Sequence, residues 1–204
     1  ISDAIGMDVT KPTLLACYHP VTAAPTHTEA GLVSMLDALE KTTCQVVLTY
    51  PGADLGHDLI IDRITQFATR NAGRVHLSAN LGNPLFTSIL ANVAAIVGNT
   101  SSGIVEAPCF GVPTVNIGAR QDGKVKAASV IDVGNEMGEI SAAIAKAMDL
   151  AFKATLRNMK NPYGDGKAGT RIADILERVE INDALLRKKF CDAGNGTLFA
   201  TTAC

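Results

Sequence analysis

The stretch Ala94 to Gly118, Ala-Ala-Ile-Val-Gly-Asn-Thr-Ser-Ser-Gly-Ile-Val-Glu-Ala-Pro-Cys-Phe-Gly-Val-Pro-Thr-Val-Asn-Ile-Gly, reads as buried strand, small-residue loop, short helix and second strand. That succession is the unit from which a parallel sheet is built. The apolar run ends at Gly98, and Asn99-Thr100-Ser101-Ser102-Gly103 then offers backbone N–H groups and hydroxyls where a helix begins, as a phosphate requires. The alternative is an ordinary strand-to-helix turn with capping hydroxyls. A capping box would need Ser or Thr three residues before Glu106, and Gly103 stands there, so local capping does not account for the carboxylate.

What is missing narrows the kind of phosphate site. Gly98 to Gly103 has the G-x-x-x-x-G spacing of an ATPase P-loop, but Ile104 and Val105 occupy the places of the Lys and Ser/Thr that would reach terminal phosphates and magnesium. No G-x-G-x-x-G loop follows a strand, which argues against NAD and FAD. A nucleotide site remains, with backbone amides on the phosphates and Glu106, one helical turn in, accepting two hydrogen bonds from a ribose diol.

Outward from this stretch, short apolar runs recur at Leu14–Tyr18, Gln45–Tyr50, Val75–Leu77, Ala95–Gly98, Thr114–Ile117 and Val130–Val133, with helical periodicity in most intervals. The expected fold is α/β, a Rossmann-like parallel sheet with helices on both faces. Leu32, Met35, Leu36 and Leu39 share one helical face, as do Ile60, Ile64, Phe67 and Ala68, and both stripes read as core. Three helices are expected after the last strand, over Glu136–Phe152, Gly169–Val179 and Asp183–Phe190, with a turn at Asn161-Pro162-Tyr163-Gly164-Asp165-Gly166 between the first two. In such sheets the loops after the strands carry the chemistry.

Composition limits the alternatives. At 204 residues, 47% hydrophobic and 19% charged, the chain is long enough for one well-buried domain. A net charge of −2 and the lack of a Lys/Arg stripe speak against nucleic acid. No apolar run approaches the roughly 20 residues of a membrane span, so no membrane partner is expected. The five cysteines include no CxxC pair and read as reduced thiols of a cytoplasmic protein. The chain opens on Ile1, which suggests that the gene starts earlier, and residues 191–204 are expected to form a flexible tail.

Taken together, Tyr18-His19-Pro20-Val21-Thr22, Thr49-Tyr50-Pro51-Gly52-Ala53-Asp54, Gly98 to Gly103 with Glu106-Ala107-Pro108, Phe110 to Gln121 and Asn161 to Gly166 form an ordered set. The set resembles the C-terminal domain of the hydrolysing UDP-N-acetylglucosamine 2-epimerases, from about Pro12 to about Phe190. The resemblance implies a two-domain, glycosyltransferase-B-like enzyme of which residues 1–190 are the UDP-binding half, with the N-terminal domain absent. It implies conversion of UDP-N-acetylglucosamine to N-acetylmannosamine and UDP by elimination and hydration, on the route to sialic acid, with no metal or redox cofactor. A homodimer is a further implication.

Carried over by position, His19 and Arg120 would be catalytic and would contact the phosphates. Asn99, Thr100, Ser101, Ser102 and Gly103 would cradle the pyrophosphate, Glu106 would hold the ribose, and the loop from Leu81 and Gly82 to Leu85 would flank the uracil. His27, His57 and His76 read as structural or exposed, and Lys124 and Lys126 as solvated charges. Gly52 stands where the family usually has Asn, Lys124 where it has Arg, and Leu55, His57 and Asp58 depart from a smaller stretch. The family's acid/base carboxylates lie on the N-terminal half, so the chain alone is expected to be inactive. A glycosyltransferase C-terminal domain and a non-catalytic nucleotide-binding fragment are the alternatives.

Overall fold

The computed structural model describes residues 1–8 and 10–187. Its short apolar runs form six parallel strands: β1 (Thr13–Cys17), β2 (Gln45–Thr49), β3 (Val75–Ser78), β4 (Ala95–Gly98), β5 (Thr114–Ile117) and β6 (Val130–Val133). The helices are α1 (Ser2–Ile5), α2 (Pro25–Glu40), α3 (His57–Arg70), α4 (Asn83–Leu90), α5 (Ser101–Val105), α6 (Met137–Met148), α7 (Leu150–Thr155), α8 (Ala168–Arg178) and α9 (Asp183–Leu186). The chain divides into two compact units, Ile1–Tyr163 and a second that begins at Gly164.

The first unit holds the whole sheet, in the order β3-β2-β1-β4-β5-β6. The chain steps outward from β1 to β3, returns to the centre at β4 and steps outward the other way. The strand order therefore reverses between β1 and β4, which pair from Leu14↔Ala95 to Cys17↔Gly98. A crevice opens at the carboxyl ends of strands at such a reversal.

Burial on both faces explains why the central strands read as unbroken apolar runs and not as alternating ones. Leu14 and Ala16 of β1 face a core built with Leu32, Met35, Leu36 and Leu39 of α2, Ile60, Ile64 and Phe67 of α3, and the apolar side of α6. Leu15 and Cys17 point the other way, against Ile89 and Leu90 of α4, Ala107 and Ile5. Helices thus cover both faces, as expected.

Two glycines make the centre fit. At Gly98 (φ 136°) a Cβ would stand 1.9 Å from the Cys17 carbonyl oxygen, so the end of β4 could not lie against β1 with any other residue. At Gly103 a Cβ would meet Thr114 Cγ2 at 2.5 Å, so the bare backbone lets α5 settle on β5, where Thr114 Oγ1 donates to the Gly103 carbonyl at 2.7 Å.

The helix expected over Glu136–Phe152 is two helices. Asp149 takes an extended conformation (φ −64°, ψ 130°) and its carboxylate accepts from the Ala151 and Phe152 amides, capping α7. In the second unit α8 carries exposed Ile172, Ile175 and Leu176 along one stripe, and Arg171 pairs with Asp165. The tail, Cys191, Cys204 and the expected end of the last helix at Phe190 lie outside the described residues.

Candidate functional site

His19 leaves the end of β1 and Asn99 the end of β4, on either side of the crevice. The Asn99 side chain, fully buried, closes the gap: its Oδ1 accepts from the His19 amide at 2.7 Å and its Nδ2 donates to the His19 carbonyl at 2.9 Å. Its main-chain carbonyl accepts from Arg120 Nη1 at 3.1 Å and from Gln121 Nε2 at 2.8 Å, both on the turn after β5. One residue thus ties together the loops after β1, β4 and β5. Buried amide hydrogen bonds are costly to break, because each orphaned group loses about 1–3 kcal/mol.

A cleft of about 400 Å³ opens in front of this clasp. His19, Thr100, Ser101, Ser102 and Glu106 form one wall, and the segment from Ala79 to Asn83 with Phe86 forms the other. The volume lies within the usual range for small-molecule sites, about 300–1,000 Å³. Gly82 has the positive φ of 69° that lets the chain turn into α4, and its amide is held by Asn80 Oδ1 at 2.8 Å. The capping reading of the Thr-Ser-Ser loop holds at its first residue. Thr100 caps α5 by accepting from the Ser102 amide at 3.3 Å, while the exposed Glu106 carboxylate has no hydrogen bond or ion pair among the described residues.

His19 is half-buried, and its Nδ1 accepts from the Gly52 amide at 3.1 Å. Burial first, and then the Arg120 charge, push its pKa below the ordinary histidine value, against a weaker upward pull from Asp54. Cys17, at the cleft floor, has its thiol pushed up to about 11 by burial, with the Thr49 hydroxyl 2.9 Å away lowering it and Glu106 raising it. It is therefore a neutral thiol at physiological pH and no nucleophile.

The cleft gathers His19, Leu81, Gly82, Thr100, Ser101, Ser102 and Glu106 of the residues singled out from the sequence. Asn99, Gly103 and Arg120 stand behind it: Asn99 spends its amide on His19, Gly103 is buried under Thr114, and Arg120 rests on the Asn99 carbonyl. Lys126 is not a solvated charge. It pairs with Asp132 at 2.8 Å and lies 3.7 Å from Asp122. Thr49, from the motif loop after β2, also lines the cleft, and so does Phe86, which was not anticipated. The signal for Phe86 was the Asn83-Pro84 pair, since Pro in the first helical turn starts α4 and puts residue 86 one turn beyond Gly82.

Known proteins share this sequence pattern and this fold. The family model described as UDP-N-acetylglucosamine 2-epimerase matches residues 3–177. A hydrolyzing UDP-N,N'-diacetylbacillosamine 2-epimerase of Legionella pneumophila is 31% identical over 188 residues, 92% of this chain and 48% of that protein. The hydrolyzing GDP/UDP-N,N'-diacetylbacillosamine 2-epimerase of Campylobacter jejuni is 32% identical over 194 residues, 94% of this chain and 50% of that protein. The chain spans about half the length of these relatives. A crystal structure of the Neisseria meningitidis UDP-GlcNAc 2-epimerase bound to UDP-GlcNAc shares the fold, with a TM-score of 0.65 and 20% identity over 85% of this chain and 47% of that one. With the family match running through the whole of the sheet and the cleft, this chain belongs to the UDP-N-acetylglucosamine 2-epimerase family.

Proposed function

We propose that the chain is the UDP-holding half of a hydrolysing 2-epimerase that acts on UDP-N-acetylglucosamine or a related diacetamido sugar nucleotide. The observation that carries this reading is the convergence on one cleft of His19, the Thr100–Ser102 turn, Glu106 and the Leu81–Gly82 loop, four segments far apart in sequence. The names of the Legionella and Campylobacter relatives favour the diacetamido sugar.

In this reading the pyrophosphate sits against His19 and the amides and hydroxyls of Ser101 and Ser102, Glu106 accepts from the ribose hydroxyls, and the uracil lies by Leu81 and Phe86. Elimination breaks the bond between the sugar C1 and the UDP oxygen while a base outside this chain takes the C2 proton and the C2–H pair becomes the C1–C2 double bond. Negative charge then grows on the departing phosphate. Donors already aimed at it lower that barrier without reorganising, so residues that bind UDP also speed its departure. Arg120, anchored by one nitrogen to the Asn99 carbonyl behind the cleft, adds its positive charge to the His19 wall. The second half-reaction adds water across the glycal-like intermediate and releases the sugar.

Calorimetric titration of the chain with UDP and with ADP tests the assignment. UDP is expected to bind in preference to ADP, and Glu106→Ala to weaken UDP about 10- to 100-fold, the value of one hydrogen bond to a charged acceptor. Equal affinity for the two nucleotides, or an unchanged Glu106→Ala variant, would overturn it.

A further inference from the structure

His19 has two ring nitrogens, and the fold uses one of them. Nδ1 lies 3.1 Å from the Gly52 backbone nitrogen and accepts its hydrogen, which joins the loop after β2 to the loop after β1. A ring nitrogen that accepts a hydrogen bond carries a lone pair, so a neutral imidazole must keep its proton on the other nitrogen. We infer that the Gly52 amide fixes His19 as the Nε2–H tautomer, making the imidazole a single-proton hydrogen-bond donor to an anionic ligand and Gly52 a positioning residue that acts through its backbone alone. The tautomer follows from the geometry; its use on a phosphate rests on the function proposed above.

The surroundings agree with a neutral ring. Protonating Nδ1 would set two N–H donors head to head across 3.1 Å and break the link to Gly52. Burial and the Arg120 charge both disfavour an imidazolium, and Asp54, the carboxylate that favours one, is the weaker influence. The nearby positive charge then comes from Arg120, behind the cleft on the Asn99 carbonyl, and His19 contributes direction.

This assignment also explains how a glycine, with no side chain to offer, can serve at position 52. A Cβ there would meet only Asp54 Oδ2 at 3.7 Å and His19 Nδ1 at 3.9 Å, both ordinary contacts. Any residue with an amide hydrogen would serve, and proline alone would not.

The test is two-bond ¹H–¹⁵N spectroscopy of the ligand-free chain, labelled at the histidine ring nitrogens, with His19 assigned by loss of its signals in His19→Gln. Above the titration range, Nδ1 is expected to show the shift of a bare nitrogen and Nε2 that of a protonated one, in wild type and in Gly52→Ala. In Gly52→Pro the two shifts should move towards each other as tautomers mix, and UDP affinity should fall only by the fraction of Nε2–H lost, about twofold for an even mixture. A protonated Nδ1 in the wild type, or a folded Gly52→Pro with an unchanged pattern, overturns the inference. If Gly52→Pro does not fold, the wild-type spectrum decides alone. A chain with the expected tautomer that ignores UDP would refute the nucleotide reading and leave the tautomer standing.

Discussion

At the scale of single residues, the behaviour of His19 with pH follows from the sign of its shift. The folded state resists protonating an imidazole that the unfolded chain protonates near its ordinary pKa of 6.5. Above that value neither state holds the proton and His19 has no effect. As pH falls below it, the unfolded state gains a proton first, so stability declines until the lower folded pKa is passed. Denaturant unfolding of wild type and His19→Gln between about pH 8 and pH 5 should show the variant gaining on the wild type as the solution is acidified. A constant difference across the range would contradict this.

Among the secondary-structure elements, the seat of α5 on β5 rests on Gly103. Replacing glycine by alanine inside a helix ordinarily helps by about 1 kcal/mol. Here the added methyl would stand 2.5 Å from Thr114 Cγ2, and Thr114 cannot turn away without releasing the Gly103 carbonyl. Overpacking in a closed core costs about 1–3 kcal/mol, so the clash outweighs the propensity. Gly103→Ala should lower the unfolding free energy, and adding Thr114→Ser, which keeps the hydroxyl and removes the methyl, should restore most of it.

This scale also separates what was readable in the sequence from what was not. Ala95–Gly98, Thr114–Ile117 and Val130–Val133 match β4, β5 and β6 residue for residue, because strands buried between helices are written as short apolar runs bounded by turn residues. The break between α6 and α7 was hidden: Asp149 sits in an otherwise helical pattern, and only its extended backbone turns it from a helix residue into a cap. In the site, His19, Thr100, Ser101, Ser102 and Glu106 were visible as motif residues. That Asn99 and Arg120 stand behind the cleft was not, since a polar side chain in a loop does not reveal whether its partner is a ligand or another loop.

For the whole molecule, the half-length match to its relatives leads to a biochemical expectation. If the groups that move the C2 proton lie outside this chain, it should bind UDP and yet leave UDP-N-acetylglucosamine and its diacetamido relatives intact. Incubation at high protein concentration with chromatographic detection of UDP release checks this. Product formed at a rate proportional to enzyme, and lost in Glu106→Ala, would show that the chain carries its own acid/base groups.

The Asn99 clasp also bears on how the chain folds. It joins residues 80 positions apart, across the same junction where β1 meets β4. Closing so long a loop costs more entropy than the local β–α–β contacts on either side, so each half of the sheet can gather before the two are joined. Neither half alone brings His19 to Asn99, or the turn after β5 to both. The pocket therefore comes into being only when the central strands zip together, and a nucleotide captured there would hold shut the seam where the two halves of the sheet meet.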